Sequence, residues 1–378
     1  MQSVRWEEDS PLSLELETRS GPMRTRHGRF VGGRCDGVEI VRIETGAAAV
    51  HVLPTRGMSI WNIDCGPTRF GWNSPVDGPV HPALVPIFDP SGLGWLEGFD
   101  ELLVRCGLES NGAPEFDESG KLAYPLHGRI GNLPADGLEI EFDEASGRLE
   151  LVGDVRESRL FFSNLQMRSR IRLHAGSARV EIRDDVVNMR SQPATMQLLY
   201  HINVGAPVLQ AGSKLHAPIE ELAPKDSLSA GEIETWNEYP APQSGYAERV
   251  YFARLKSDES NLATSVLHNA DASLGLAVTH QTKGLPRFVV WKNTAHEADG
   301  YVTGLEPATN FPNTRSYEAS QDRVVQLEPE QTASFRVTLE PLTAADQVSE
   351  AIQRVEKIAG EDPPTVHATP RPGWSPGA

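Results

Sequence analysis

Alternation of apolar and polar residues with a period of two is the feature that most constrains this sequence. In ARVEIRDDVV, residues 178–187, Val180 and Ile182 fall on one side of an extended chain and Glu181 and Arg183 on the other. Such alternation is typical of a strand with one face on a core and the other toward water. The pattern recurs at residues 38–45, 138–142, 148–155, 167–174, 248–255, 274–280, 287–292 and 332–340. The sequence therefore predicts an all-β protein, built as a large antiparallel β-sandwich.

Helical periodicity is confined to the last part of the chain. In residues 342–360 apolar residues recur every three or four positions, and the pattern stops at Gly360. We therefore predict a C-terminal helix and few other, short helices. Residues 1–360 are expected to form a single domain, and the proline-rich residues 361–378 a flexible tail. Residues 70–134 alternate poorly, and a long irregular segment on a β scaffold is usually functional.

Charge and cysteine content narrow the function classes. The 378 residues carry a formal net charge of −17 with no cluster of basic residues, which argues against nucleic acid or an anionic membrane as a partner. Three scattered cysteines favour neither a disulfide framework nor a structural zinc site. The sequence shows neither the apolar start of a signal peptide nor an apolar run long enough to span a membrane. We expect a cytoplasmic protein.

Four segments concentrate polar residues and glycines in a way that strand packing does not require. They are LPTRGMSIWN (53–62) with Arg56, YPLHGRIGNLPA (124–135) with His127 and Arg129, TMQLLYHINVGAP (195–207) with His201 and Asn203, and DGYVTGLEPATNFP (299–312) with Glu306. Taken singly, each has an ordinary interpretation: a surface arginine, a turn histidine, a core histidine and a solvated glutamate. Residue type alone leaves the ordinary and the functional interpretations open.

In this order, the four segments resemble the galactose mutarotase-like superfamily and, within it, the aldose 1-epimerase-like family DUF4432. The resemblance extends over roughly residues 30–345 and also involves GWNSP (71–75) and LEGFDELLVRCGLESNGAP (96–114). It implies a β-sandwich with a shallow sugar cleft across one sheet. It also implies interconversion of sugar anomers by acid–base ring opening and closure, with no metal and no redox cofactor.

The resemblance implies a role for each matching residue. Glu306 matches a general base, His201 a general acid, and His127 a second histidine near the sugar ring oxygen, while Arg56 matches an arginine that holds a hydroxyl. Free histidine titrates near 6.5 and free glutamate near 4.3, so we expect a bell-shaped pH profile that substitution of either residue alters. The expected ligand is a free small-molecule sugar, and a homodimer stays open.

Other residues are candidates for lining the cleft, with ordinary roles in the core or in loops as the alternative. They are Trp72, Asn73, Asp100, Arg129, Asn203, Trp291 and Lys292. Arg105 and Asn111 either bind hydroxyls or fix the irregular segment. Cys106 is expected to be a small buried hydrophobic residue, since no neighbour in sequence would activate its thiol.

The substrate and the reaction have alternatives. The chain lacks a counterpart of the aspartate that fixes sugar hydroxyls in galactose mutarotases, and it reads HGRIGN where the phosphosugar branch has an HGFAR-like motif. A sugar 1-epimerase is the leading hypothesis. The same acid–base pair could instead enolise a keto-sugar, which would require a markedly raised pKa of Glu306. A sugar-binding protein without catalysis is the third option.

Overall fold

The structure, a computed structural model, describes residues 2–5 and 13–376. In chain order the strands are β1 (Gln2–Arg5), β2 (Ser13–Thr18), β3 (Gly21–Arg29), β4 (Glu39–Glu44), β5 (Ala49–Leu53), β6 (Ser59–Cys65), β7 (Thr68–Phe70), β8 (Leu103–Leu108), β9 (Glu115–Phe116), β10 (Leu122–Tyr124), β11 (Ala135–Asp143), β12 (Arg148–Ser158), β13 (Asn164–His174), β14 (Val180–Asn188), β15 (Ala194–Val204), β16 (Lys214–His216), β17 (Ile219–Pro224), β18 (Arg249–Leu255), β19 (Leu262–His268), β20 (Gly275–Gln281), β21 (Arg287–Asn293), β22 (Val302–Ala308), β23 (Val325–Leu327), β24 (Thr332–Leu342) and β25 (Thr365–Val366). The helices are α1 (Ser227–Ala230), α2 (Arg315–Ser320) and α3 (Ala345–Ala359).

Two large sheets contain most of these strands. The small sheet has the order β1-β11-β12-β13-β14-β24-β20-β19-β16. The large sheet follows β2-β3-β4-β5-β6-β8-β15-β22-β21-β18-β17-β25, with β7 beside β6 and β23 beside β15. Neighbouring strands that we describe run antiparallel, apart from β25, which is parallel to β17. The predicted all-β sandwich is confirmed, and the predicted strand segments lie in these sheets.

The core lies between the two sheets because side chains alternate across each strand. In β13 every second residue is buried, and Ile171 pairs with the equally buried Ile182 of β14. Leu198 and Ile202 of β15 belong to the same apolar cluster from the side of the large sheet. Each such side chain stabilises the fold by roughly 1.5–3 kcal/mol relative to its exposure to water. The alternation seen in the sequence thus becomes the contact between two sheets.

The middle of the large sheet is buried on both faces. All residues of β8 and β22 are buried. One face meets the small sheet, and the irregular segment at residues 70–134 covers part of the other face with the aromatic side chains of Trp72, Trp95 and Phe99. This segment leaves part of the outer face uncovered, and the cleft described below lies there.

Helix α3 packs on the small sheet, close to the bounds predicted for it. Its buried Val348, Ala351 and Val355 contact Val266 of β19 and Ala277 of β20. No helix in the described part of the chain is both long and apolar enough to cross a membrane.

The C-terminal segment differs from the expected flexible tail. Strand β25 extends the large sheet, and Trp374 is buried against Phe311, with ring centroids 4.8 Å apart. The Nε of Arg371 donates a hydrogen bond of 2.6 Å to the carboxylate of Glu221. Prolines are compatible with an edge strand, where one side of the backbone needs no sheet partner. Of the predicted tail, residues 377–378 lie outside the described residues.

Candidate active site

The register of two adjacent strands brings His201 and Glu306 together. Ile202 of β15 pairs with Leu305 of β22, and Asn203 pairs with Gly304. His201 and Glu306 therefore occupy facing positions, and both side chains point away from the small sheet. The Nε2 atom of His201 lies 3.3 Å from the Oε1 atom of Glu306, and both side chains are buried. Two segments more than 100 residues apart thus form one acid–base pair.

The pair lies at the floor of a cleft of about 240 Å³. Aromatic rings surround it: the ring centroids of Phe99 and Trp291 lie 5.0 and 5.4 Å from that of His201, and the ring of Trp95 lies 6.1 Å away. The cleft is lined by Leu93, Trp95, Leu96, Phe99, Ala113, Leu126, His127, His201, Lys225, Glu248, Val250, Val289, Trp291, Glu306 and Pro312. Aromatic walls with a few polar groups suit a small polyhydroxylated ligand whose C–H faces pack against the rings.

Asn203 fixes the tautomer of His201. Its Nδ2 donates to the backbone carbonyls of Glu101, at 2.9 Å, and of His201, at 3.3 Å, so its Oδ1 must face the imidazole. That Oδ1 lies 2.6 Å from Nδ1 of His201 and accepts a hydrogen bond from it. Because Nδ1 carries the hydrogen, Nε2 is the nitrogen that exchanges protons on the side of Glu306.

Burial drives both members of the pair toward their uncharged forms. Burial, assisted by the Glu248 carboxylate, raises the pKa of Glu306 well above its usual 4.5, and Lys225 opposes the rise. Burial and the neighbouring His127 lower the pKa of His201 well below 6.5, and the hydrogen bond to Asn203 opposes the fall. Over a wide pH range the pair therefore holds a single proton.

Gly304 makes the close approach of the pair possible. A Cβ atom at this position would lie 2.3 Å from Oε1 of Glu306 and 3.1 Å from Cε1 of His201. Any side chain there would displace the carboxylate from the imidazole. The GLEPAT segment thus provides both the carboxyl group of Glu306 and, at Gly304, the space that this carboxyl group needs beside His201.

His127 forms another wall of the cleft. Its ring lies 5.3 Å from that of His201 and 4.6 Å from that of Trp95. Nδ1 donates to the carbonyl of Asn111 at 3.0 Å, so in the neutral ring Nε2 is left as an acceptor for a ligand. Burial lowers the pKa of His127 to about 4, so the ring is neutral near pH 7. Its left-handed backbone, with φ of 56°, turns the ring into the cleft.

Comparison with known proteins agrees with this architecture. The family described as "Domain of unknown function (DUF4432)" matches residues 35–340. The chain belongs to DUF4432. No curated protein matches it.

Solved structures with the galactose mutarotase-like fold resemble this DUF4432 chain. A protein of Klebsiella pneumoniae subsp. pneumoniae MGH 78578, provisionally called an aldose 1-epimerase, is 31% identical over 98% of this chain and 99% of that chain, with a TM-score of 0.93. A galactose mutarotase-like protein of Clostridium acetobutylicum is 13% identical over 81% of this chain and 95% of that one, with a TM-score of 0.55. Galactose 1-epimerase from Lactobacillus acidophilus NCFM is 12% identical over 84% and 98%, with a TM-score of 0.55. The last two likenesses show the fold alone.

Sequence reasoning did not single out several residues that line the cleft of this DUF4432 member. Lys225 and Glu248 had no distinguishing pattern around them. Trp95 and Phe99 lie in the irregular segment whose functional role we predicted, although we did not name them. Trp291 was named, and it lies at the cleft with its Nε1 donating to Glu248 at 2.7 Å.

The structure does not bring Arg56 to the cleft. Its guanidinium is buried and donates to Glu101 at 2.5 Å, to the carbonyl of Val80 at 2.8 Å and to that of Gly98 at 2.6 Å, with Asn132 as a further acceptor. With these donors engaged, Arg56 anchors the irregular segment to the sheet rather than a sugar hydroxyl.

Asp100 is likewise buried away from the cleft. Its Oδ2 accepts from Nε1 of Trp61 at 2.9 Å, while its Oδ1 is buried without a hydrogen-bond partner. Burial, and after it the adjacent Glu101 carboxylate, raises the pKa of Asp100 to about 7. Asp100 was a candidate for lining the cleft, but its hydrogen bond to Trp61 anchors the irregular segment instead.

Four other candidates for the cleft also lie elsewhere. Trp72 packs behind Phe99 and donates to the carbonyl of Glu101, and Asn73 is exposed. Arg129 pairs with Glu157 at 3.3 Å. Lys292 is buried, and its Nζ donates to the carbonyls of residues 235 and 238 in the segment between α1 and β18. Since Lys292 follows Trp291 in one strand, only one of the two can face the cleft.

The remaining expectations concern buried residues outside the cleft. Asn111 exchanges two side-chain hydrogen bonds of 2.9 Å with Asn310, which fixes the loop that carries His127. Cys106 is fully buried, and burial raises the pKa of its thiol well above 9.0. Arg105 lies between the sheets and binds Asp184. These residues shape the site without lining it.

Proposed function

We propose that this DUF4432 protein is a carbohydrate epimerase that interconverts the anomers of a free sugar. The observation that carries the proposal is the 3.3 Å approach of His201 Nε2 to Glu306 Oε1 at the floor of an aromatic cleft. Mutarotation moves one proton from the C1 hydroxyl and one to the ring oxygen. Both oxygens are bonded to the same carbon, so the base and the acid must themselves be close neighbours.

The single proton of the pair suffices for the cycle. In ring opening, Glu306 as carboxylate takes the proton of the C1 hydroxyl, and His201 as imidazolium gives its Nε2 proton to the ring oxygen. The open-chain sugar then faces a protonated Glu306 and a neutral His201, the forms that burial favours. Rotation about the C1–C2 bond presents the other carbonyl face, and both transfers reverse on closure. Each transfer is thus undone within one turnover.

The test of this reaction is direct. Freshly dissolved single anomers of a panel of aldoses should equilibrate faster with the protein than without it, measured by polarimetry or by NMR exchange between the two anomeric protons. Glu306→Gln and His201→Asn should each abolish the acceleration. If no sugar equilibrates faster while sugars still bind, the cleft serves recognition rather than catalysis.

A second candidate is the enolisation of a keto-sugar, and the raised pKa of Glu306 favours it. Abstraction of a proton from carbon needs a stronger base than abstraction from a hydroxyl, and burial makes Glu306 such a base. Solvent deuterium appearing at C2 of the recovered sugar would support enolisation. Anomer exchange without deuterium at carbon would support the 1-epimerase.

A further inference from the structure

The cleft is also lined by a lysine, Lys225, at some distance from the acid–base pair of His201 and Glu306. Lys225 follows the last residue of β17, and its backbone N–H donates to the carbonyl of Val250 in β18 at 2.9 Å. Val250 faces Trp291 of β21, and Val289 of the same strand faces Glu306 of β22. Since neighbouring strands are about 4.8 Å apart, three spacings of roughly 14 Å separate Lys225 from β22, and Glu306 lies two residues farther along that strand.

Within residues 2–5 and 13–376, the Lys225 ammonium has no hydrogen bond and no ion pair. Glu248 lines the same cleft without approaching Lys225 to ion-pair distance; its carboxylate is exposed and accepts from Trp291. The charge of Lys225 nevertheless reaches the floor, because it lowers the pKa of both Glu306 and His127. Lys225 is half-buried where it lines the aromatic cleft, and within these residues its ammonium lacks the counter-charge that such groups usually have.

The other groups at the floor do not offset this charge. The pair of His201 and Glu306 carries one proton and is neutral as a unit, and His127 is neutral near pH 7. Arg129, a candidate for lining the cleft, is engaged by Glu157 outside it. On the side of the cleft opposite the reacting centre, Lys225 is therefore a cation without an ion-pair partner, beside the exposed carboxylate of Glu248.

We propose that the substrate is a sugar that carries an anionic group, and that Lys225 binds this group at the end of the sugar away from its reacting carbon. The inference rests on the proposed function and specifies its substrate class. The anionic group is either the carboxylate of a sugar acid or a phosphate monoester. Glu248, on the same side, accepts hydrogen bonds from the hydroxyls of the same sugar.

The experiment compares matched sugars. Initial rates of anomer exchange are measured by NMR for D-galactose, D-galacturonate and D-galactose 6-phosphate, and for the three corresponding gluco sugars. We expect the wild-type protein to have a higher kcat/KM for the acid or the phosphate than for the neutral sugar. Whichever anionic sugar is preferred identifies the group. A higher kcat/KM for the neutral member of both series would overturn the proposal.

Lys225→Gln removes the charge and keeps the approximate length of the side chain. We expect its kcat/KM for the preferred anionic sugar to fall by roughly 10- to 100-fold more than for the neutral sugar. Lys283→Gln is the matched control, because Lys283 is exposed in the turn after β20 and outside the cleft. Equal losses on neutral and anionic sugars in Lys225→Gln would contradict charge recognition, as would equal losses in both variants.

Failure of the proposed function gives a different result. If no anomer exchanges faster, binding of galacturonate, galactose 6-phosphate and galactose is measured by calorimetry on the wild-type protein and on Lys225→Gln. Tighter binding of an anionic sugar that is lost in Lys225→Gln supports the anion site even without epimerase activity. Equal affinities for the neutral and the anionic sugars would overturn the proposed anion site.

Discussion

Two buried pairs, each made of a basic and an acidic side chain, contact opposite faces of the large sheet. They differ in how completely their hydrogen bonds are satisfied. Arg105 and Asp184 lie between the sheets and share two hydrogen bonds, of 2.6 and 3.0 Å. The hydroxyl of Tyr200 donates to Asp184 at 2.8 Å, and Arg105 also donates to Ser169 and to the carbonyl of Met58. The buried charges of this pair are well satisfied.

In the cleft, the hydrogen bonds of the pair of His201 and Glu306 are not all satisfied. Oε1 of Glu306 has no hydrogen-bond partner within the described residues, although Nε2 of His201 is 3.3 Å away. An unsatisfied buried carboxyl costs about 1–3 kcal/mol or more, so it persists where a ligand completes it. The comparison indicates that the pair of Arg105 and Asp184 stabilises the sandwich, whereas the pair of His201 and Glu306 is available for chemistry.

The largest expected effect is on catalysis. Glu306→Gln should lower kcat by roughly 100- to 10,000-fold, because the amide cannot exchange the proton. Its melting temperature should be equal to or higher than that of the wild type, since an uncharged amide replaces an unsatisfied carboxyl. Anomer exchange by NMR and thermal unfolding measure the two quantities. A marked loss of stability would mean that Glu306 is structural, as Asp184 is.

For the pair of Arg105 and Asp184 we expect the converse, a loss of stability without a loss of kcat. Arg105→Met leaves the Asp184 carboxylate buried without its cation and should destabilise the protein by about 3–5 kcal/mol. Chemical denaturation with urea measures the loss of the free energy of unfolding. The remaining folded protein should keep the kcat of the wild type, because Arg105 points away from the cleft. A fall in kcat as large as that of Glu306→Gln would remove the distinction between the two pairs.

A smaller effect is expected where the structure supports His201 indirectly. Asn203→Leu removes the acceptor at Nδ1 and should lower kcat by roughly 10- to 100-fold. Asn203→Asp places a carboxylate there and should raise the pKa of His201, which moves the acid limb of the pH–rate profile to higher pH. The pH dependence of anomer exchange separates these variants. An unchanged limb in Asn203→Asp would mean that Asn203 does not position the imidazole.

The smallest effect concerns stability and pH. Asp100 has a pKa of about 7 in the folded protein and an ordinary value of 3.8, so folded protein keeps a proton that unfolded protein has released. Its contribution to stability is fully present below pH 3.8 and is lost as the pH rises through 7. Asp100→Asn should therefore gain stability relative to wild type between pH 5 and 8, by about 2 °C or more. Melting temperatures at both pH values test this, and a constant difference would contradict it.

The sequence predicted the strands well because alternation is a local property. It also placed Trp291 in a strand near the site, and the same alternation implies that Lys292 must face the other way. The roles of Arg56 and Asp100 could not be read in this manner. Both depend on partners far away in sequence, such as Trp61 for Asp100, which adopt their positions only when the irregular segment folds onto the sheet.

The sequence by itself determined the all-β sandwich and the C-terminal helix. The candidacy of His201 and Glu306 came from the resemblance of four ordered segments to a known family. The tertiary structure decided that their side chains meet at 3.3 Å, that Gly304 leaves the space for this, and that Lys225 faces the same cleft. The physical reason is the separation in sequence between the residues that interact. Alternation and turns are set by neighbouring residues, whereas register, burial and the resulting pKa shifts arise from contacts between distant strands.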